Sequence, residues 1–127
     1  MSLLIKSGMR LQVVGTIGTH AHANNIIWQT VFTYLTTTNR RIHSIWLNFV
    51  NLTQNMTYRL SYDYGGLGVY VPFDTNAAVP WTVADDDGVL IDCRFIVNYG
   101  LRLELLSAVL EGAARNIPWE LYSEDVQ

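Results

Sequence analysis

Apolar and polar residues alternate along most of the chain, and the alternation is cleanest between Arg41 and Tyr64. Ile45, Leu47 and Phe49 mark one run. Tyr58, Leu60, Tyr62 and Tyr64 mark a second, with Thr57, Arg59, Ser61 and Asp63 between them. A period of two belongs to a strand with one face buried and the other in water. The pattern predicts two paired strands joined across Asn51 to Asn55, with Trp46 and Arg59 on the outward side among Ser, Asn and Thr.

The same device recurs on both sides of this stretch. Met9 to Thr16 reads as a first strand after an arm at residues 1–8. Gly15 and Gly18 loosen the chain into a small polar loop, Thr19 to Asn25. Ile26 to Leu35 is apolar at odd and even positions alike, with Trp28, Phe32 and Tyr34 against Ile27, Val31 and Leu35. That pattern predicts a central strand covered on both sides, or one face kept for a partner. Gly65 and Gly66 supply a turn, and Pro72 demotes Val69 to Phe73 to an edge or a bulge.

Trp81 to Ala84 is a further short run, ended by Asp85, Asp86, Asp87 and Gly88. Val89 to Asn98 and Leu101 to Leu110 flank Tyr99 and Gly100, a hairpin signal. A helix over Leu101 to Ala114 is the rival reading, because Leu, Ala, Glu and Arg form helices well. Arg102 and Glu104 interrupt at period two, which favours the strand and leaves room for a helical turn near Leu110 to Ala114. Ile117 to Ser123 closes the series before an acidic tail at 124–127.

Eight or nine short strands and no secure helix predict one all-β domain over residues 1–127, an antiparallel β-sandwich. The count fits an eight-stranded jelly roll best. An immunoglobulin-like sandwich would bring a cysteine pair, and Cys93 stands alone.

Charge changes this picture. Only 15% of the residues are charged against 50% hydrophobic, and the eight cations are Lys6 and seven arginines. Such a chain has little charge to cover its own surface, and lysine is the usual guard of exposed strand edges. Both features favour a homo-oligomer or a component of a larger assembly. A net charge of −3 argues against a nucleic-acid partner. No apolar run reaches the ~18 residues of a membrane-spanning helix. Met1 to Ile5 is too short for the apolar part of a signal peptide.

Candidate chemistry is sparse. His20 and His22, two apart, would project to one side of a strand and ligate a metal if His43 or an Asp joined them; a solvated surface loop explains them more simply. Asp85, Asp86, Asp87 and Asp92 offer oxygens to calcium, yet Asp before Gly is equally what a tight turn requires. Asp92 and Glu104 read as paired carboxylates or, with Arg94 and Arg102, as cross-strand ion pairs. Cys93 sits inside an apolar alternation, and no nucleophile elbow is present, so no catalytic residue, metal site or cofactor site is assigned. Asn51-Leu52-Thr53 and Asn55-Met56-Thr57 match the glycosylation acceptor pattern. The richest binding resource is aromatic. Trp46, Trp28 and Trp81, with Arg59, form the candidate partner surface.

The segment Asn51 to Leu60, together with Trp81 to Asp92 and Glu111 to Trp119, resembles small β-sandwich virion proteins of bacteriophages, such as capsid decoration or tail-associated jelly rolls. The resemblance implies a non-enzymatic assembly role in a virion, with a capsid or tail protein as partner. The rival is a carbohydrate-binding module that stacks a glycan on Trp46 or Trp81.

Overall fold

The computed structural model describes residues 13–83 and 87–126. The arm at 1–8, the start of the strand expected at Met9, and Asp85 and Asp86 lie outside them. Eight strands follow in order: β1 (Val14–His22), β2 (Gln29–Leu35), β3 (Arg40–Asn48), β4 (Met56–Asp63), β5 (Tyr70–Thr75), β6 (Gly88–Val97), β7 (Gly100–Ser107) and β8 (Arg115–Asp125). They form two four-stranded antiparallel sheets, ordered β1-β8-β3-β6 and β2-β7-β4-β5. Every connection except that from β4 to β5 crosses from one sheet to the other. This is the jelly-roll sandwich that the strand count predicted.

The period-two pattern becomes the core directly. Ile45 and Leu47 of β3, Leu60 of β4, Leu101, Leu103 and Leu105 of β7, and Ile117 and Leu121 of β8 are fully buried between the sheets. Each such side chain contributes about 2 kcal/mol by leaving water. Phe32 packs against Trp119 with ring centroids 4.7 Å apart, and Trp81 stacks on Tyr58 at 4.9 Å.

Partners differ from expectation. The Arg41 to Tyr64 strands do not pair with each other: β3 lies between β8 and β6 in the first sheet, and β4 between β7 and β5 in the second. Tyr99 and Gly100 likewise join β6 to β7 across the two sheets instead of closing a hairpin. Alternation reports which face is buried, and two strands facing one core from opposite sheets carry the same alternation.

Of the two readings of Ile26 to Leu35, a central strand or a face kept for a partner, the first does not hold: β2 is an edge strand. Its two-faced pattern comes from a bulge between Thr30 and Phe32, which turns both Val31 and Phe32 inward. Ile26 and Ile27 precede the strand and are exposed.

The loop expected at Thr19 to Asn25 begins only after His22, because β1 stays in register with β8 from Val14↔Ser123 to His22↔Arg115. Among the described residues of the run at 81–84 only Trp81 pairs, in an isolated bridge to Met56. Glu124 and Asp125, read as the start of a tail, are the last residues of β8. No helical turn forms at 110–114.

Pro72 lies in edge strand β5, where the register with β4 slips between Leu60 and Ser61. In the β4–β5 loop the Asp63 carboxylate accepts hydrogen bonds from the amides of Leu67 (3.1 Å) and Gly68 (2.9 Å). Gly66 and Gly68 hold the positive φ that this tight return needs.

Candidate partner surface

The four sequence candidates go to three different places. Trp46 lies on the outer face of the first sheet, 37% exposed. Its ring lies on the backbone of Gly88, where a Cβ would come within 2.4 Å of Cη2; only glycine admits the ring there. Trp46 stands opposite Leu90 of β6 and Glu120 of β8, and Glu120 stands opposite Ile17 of β1. Directly opposed residues share a face, so Leu90, Trp46, Glu120 and Ile17 form one row across all four strands. Leu90 is 59% and Ile17 74% exposed.

Trp28 and Arg59 meet on the outer side of the second sheet, with the guanidinium carbon 4.3 Å from the indole centroid. Glu104 holds the same guanidinium by two bonds, from Nε at 2.7 Å and Nη2 at 3.2 Å. Beside them Arg102 lies 4.0 Å over the Tyr70 ring. Trp81 does not join either group: it packs against Phe49 and Tyr58 at the core.

The expected ladder of Asp92, Arg94, Arg102 and Glu104 does not form, since β6 and β7 lie in different sheets. Arg94 instead reaches along its own strand to Asp92 at 3.3 Å, and Glu104 is taken by Arg59. Arg94 has a φ of 84°. It sits where two residues of β6, Cys93 and Arg94, oppose the single His43 of β3, a bulge that twists this sheet edge.

The histidines are the largest surprise. His20 and His22 point inward from β1, and His22 is 0% exposed. His20 Nε2 lies 3.1 Å from His22 Nδ1, and His22 Nε2 lies 3.1 Å from Ser107 Oγ on β7. Burial lowers the pKa of His20 from 6.5 to about 4, and the neighbouring His22 adds to the effect. Burial lowers that of His22 as well, against the pull of Glu111. Two neutral rings therefore bridge the sheets.

The order hydroxyl, imidazole, second imidazole is that of a nucleophile with its base and orienting group. Ser107 is 1% exposed and touches Met56 Sδ at 3.7 Å, so its oxygen is closed to a substrate. His43 is elsewhere, 3.1 Å from Glu124. Among the described residues no group of three or more His, Cys, Asp or Glu is arranged to hold a metal ion. The sequence signal was the His-x-His spacing itself, masked by glycines and small polar residues that read as a loop.

Glu111 was not singled out from the sequence. Its buried carboxylate accepts from Thr53 N (2.9 Å), Thr53 Oγ1 (2.8 Å) and Gln54 N (3.0 Å), with Arg115 Nε at 3.6 Å. At the other end of the β1–β2 flank a cleft of about 450 Å³ opens between Val14, Thr16, Tyr34, Leu35 and Arg40. Arg40 is already held by Asp125 at 2.8 Å and Ser123 at 2.9 Å, so the cleft offers hydroxyls and methyls without a free charge.

No protein-family model matches the chain, and no curated protein matches it. Among solved structures its fold is similar to that of a protein of the Bacillus endospore appendages, a family of disulfide-linked pili, with a TM-score of 0.51 and 12% identity over 93% of this chain and 92% of that one. The VP2 subviral particle of infectious bursal disease virus matches with a TM-score of 0.46 and 15% identity, over 93% of this chain and 38% of that chain. The Yersinia pseudotuberculosis-derived mitogen matches at 0.44 and 12% identity over 93% and 89%. At these identities the likeness is one of fold.

Proposed function

We propose that the protein is a non-enzymatic structural subunit that self-associates and docks on a larger particle outside the cell, as a capsid decoration or tail-associated component of a phage virion. One observation carries the reading. Ile17, Trp46 and Leu90 are exposed in a single row across the whole outer face of the first sheet, where a lone soluble sandwich would carry polar residues. The low charge of the chain fits the same reading, and the pilus described for the Bacillus protein shows a use to which this fold is put. The disulfide linkage named for that pilus is not carried over. Cys93 is the only cysteine, and burial pushes its thiol up to about 12, away from the reactive thiolate.

Sedimentation velocity over a wide concentration range tests the proposal. Growth of large species with concentration is expected, and a monodisperse monomer at high concentration would overturn it. A carbohydrate-binding module is the second reading, favoured by the exposed Trp46 ring beside Ser44 and Asn48. It predicts glycan-array binding that Trp46→Ala abolishes, and an array without hits removes it.

A further inference from the structure

We infer that the self-association runs head to tail, with the outer face of the β1-β8-β3-β6 sheet of one copy seated on the outer face of the β2-β7-β4-β5 sheet of the next, and Glu120 meeting Arg102. The inference rests on the assembly reading above and adds which surfaces meet.

The two outer faces differ in the charge each leaves unmatched. On the first, Asp92 is paired with Arg94, and Glu124 with Arg41 and His43. Glu120 accepts a hydrogen bond from the Tyr122 hydroxyl, and among the described residues no cation lies within ion-pair distance of it. On the second face Arg59 and Glu104 neutralise each other. Arg102 has only the Tyr70 ring and the Thr33 hydroxyl, 3.4 Å away. No carboxylate among the described residues pairs with it. Asp63, outward on β4, is 7% exposed and its carboxylate is taken by the Leu67 and Gly68 amides. One face therefore presents a lone anion within an apolar row, and the other an unpaired cation over the Tyr70 ring.

Both groups stand on interior strands, Glu120 on β8 and Arg102 on β7. A two-fold contact of the first face with itself, centred on β8, would bring Glu120 carboxylates together, and one of the second face centred on β7 would do the same to Arg102. Like charges placed together in an interface oppose it. The first face on the second pairs opposite charges, and it lays Ile17, Trp46 and Leu90 on the Trp28 and Tyr70 side, residue types enriched where proteins meet.

The area suffices. Four strands span about 19 Å and eight residues about 26 Å, giving about 500 Å² a side and about 1,000 Å² in all, the lower bound of a specific interface. Because the two surfaces differ, each copy in a pair keeps one of each kind free. Addition then continues into an open stack, or into a ring if the rotation closes.

A charge-swap series on the full chain tests this by sedimentation velocity, with melting curves to verify that each variant is folded. Arg102→Glu and Glu120→Arg are each expected to raise the concentration needed for assembly by about tenfold or more. The double variant is expected to return to within about threefold of the wild type. If Arg102→Glu melts well below the wild type, Arg102→Gln replaces it in the series, with a smaller loss expected. Wild-type assembly that neither single variant weakens, or a double variant no better than the singles, overturns the head-to-tail contact and leaves self-association standing. A wild type that never assembles removes both.

Discussion

The middle of the sandwich and the end of it beneath β1 are both buried, yet they are closed by different means. In the middle, Ile45, Leu60, Leu103 and Leu121 meet with no polar side chain among them. At the end, His22, Ser107 and Glu111 fill the same layer, and each is held by hydrogen bonds. An apolar interior tolerates any shape that fills it, whereas a polar one works only when every partner is present. The middle therefore supplies stability, and the end fixes where β1 and the loops around Thr53 and Glu111 must lie.

The largest expected effect is in the middle. Leu103→Ala should cost about 3 kcal/mol, the combined loss of transfer energy and a cavity that strands on both sides cannot collapse. Chemical denaturation measures it. A loss below about 1 kcal/mol would mean that the middle is less tightly packed than its burial implies.

Second comes Glu111, where the comparison is sharpest. Glu111→Ala leaves the amides of Thr53 and Gln54 and the Thr53 hydroxyl without their acceptor, and it should cost about 2 kcal/mol. Glu111→Gln keeps the shape and one carbonyl acceptor, so its cost should be about half. Were the polar end only filler, the two variants would differ little from each other and from the wild type.

These two regions were unequally legible in the sequence. Ile45, Leu47, Leu60, Leu103 and Leu105 announced themselves by period two, and so did the outward position of Trp46, because sheet geometry writes that period directly. Pairing was not legible. Val14 meets Ser123 more than one hundred residues away, and nothing in local alternation names a partner. His20 and His22 were hidden because the ladder to β8 keeps small, loop-like residues in a strand. Glu111 was hidden because a lone Glu after a hydrophobic run says nothing of the amides it will meet. Trp81 and Trp46 look alike in sequence, and only the fold sends one inward and leaves the other outside.

A third test uses pH to separate the two regions without mutation. The folded-state pKa of His20 is about 4 against 6.5 in the unfolded chain, so below pH 6.5 the unfolded chain binds the extra proton. Stability is then fully present above pH 6.5 and is lost as pH falls from 6.5 towards 4. The loss expected is about 1 kcal/mol, less than full linkage would give, because solvent still reaches part of the ring. Urea midpoints across this range should show the slope in the wild type and in Leu103→Ala alike. His20→Gln with His22→Gln should remove it, and a slope that survives both changes would assign it to other groups.

The smallest expected effect on stability lies on the outward side of β1. Ile17 shares its strand with His20 and His22 but faces the opposite way, so Ile17→Thr leaves the polar end and the middle untouched. Threonine keeps the branched Cβ that suits a strand, and at a side chain 74% exposed the change in unfolding free energy should stay below about 0.5 kcal/mol. Self-association should nevertheless weaken, because a hydroxyl replaces the ethyl branch at one end of the row formed with Trp46 and Leu90. Paired denaturation and sedimentation measurements on this variant separate the two roles of one strand. A stability loss well above 0.5 kcal/mol would show that the outer row supports the fold of the single chain, and unchanged sedimentation would take Ile17 out of the contact.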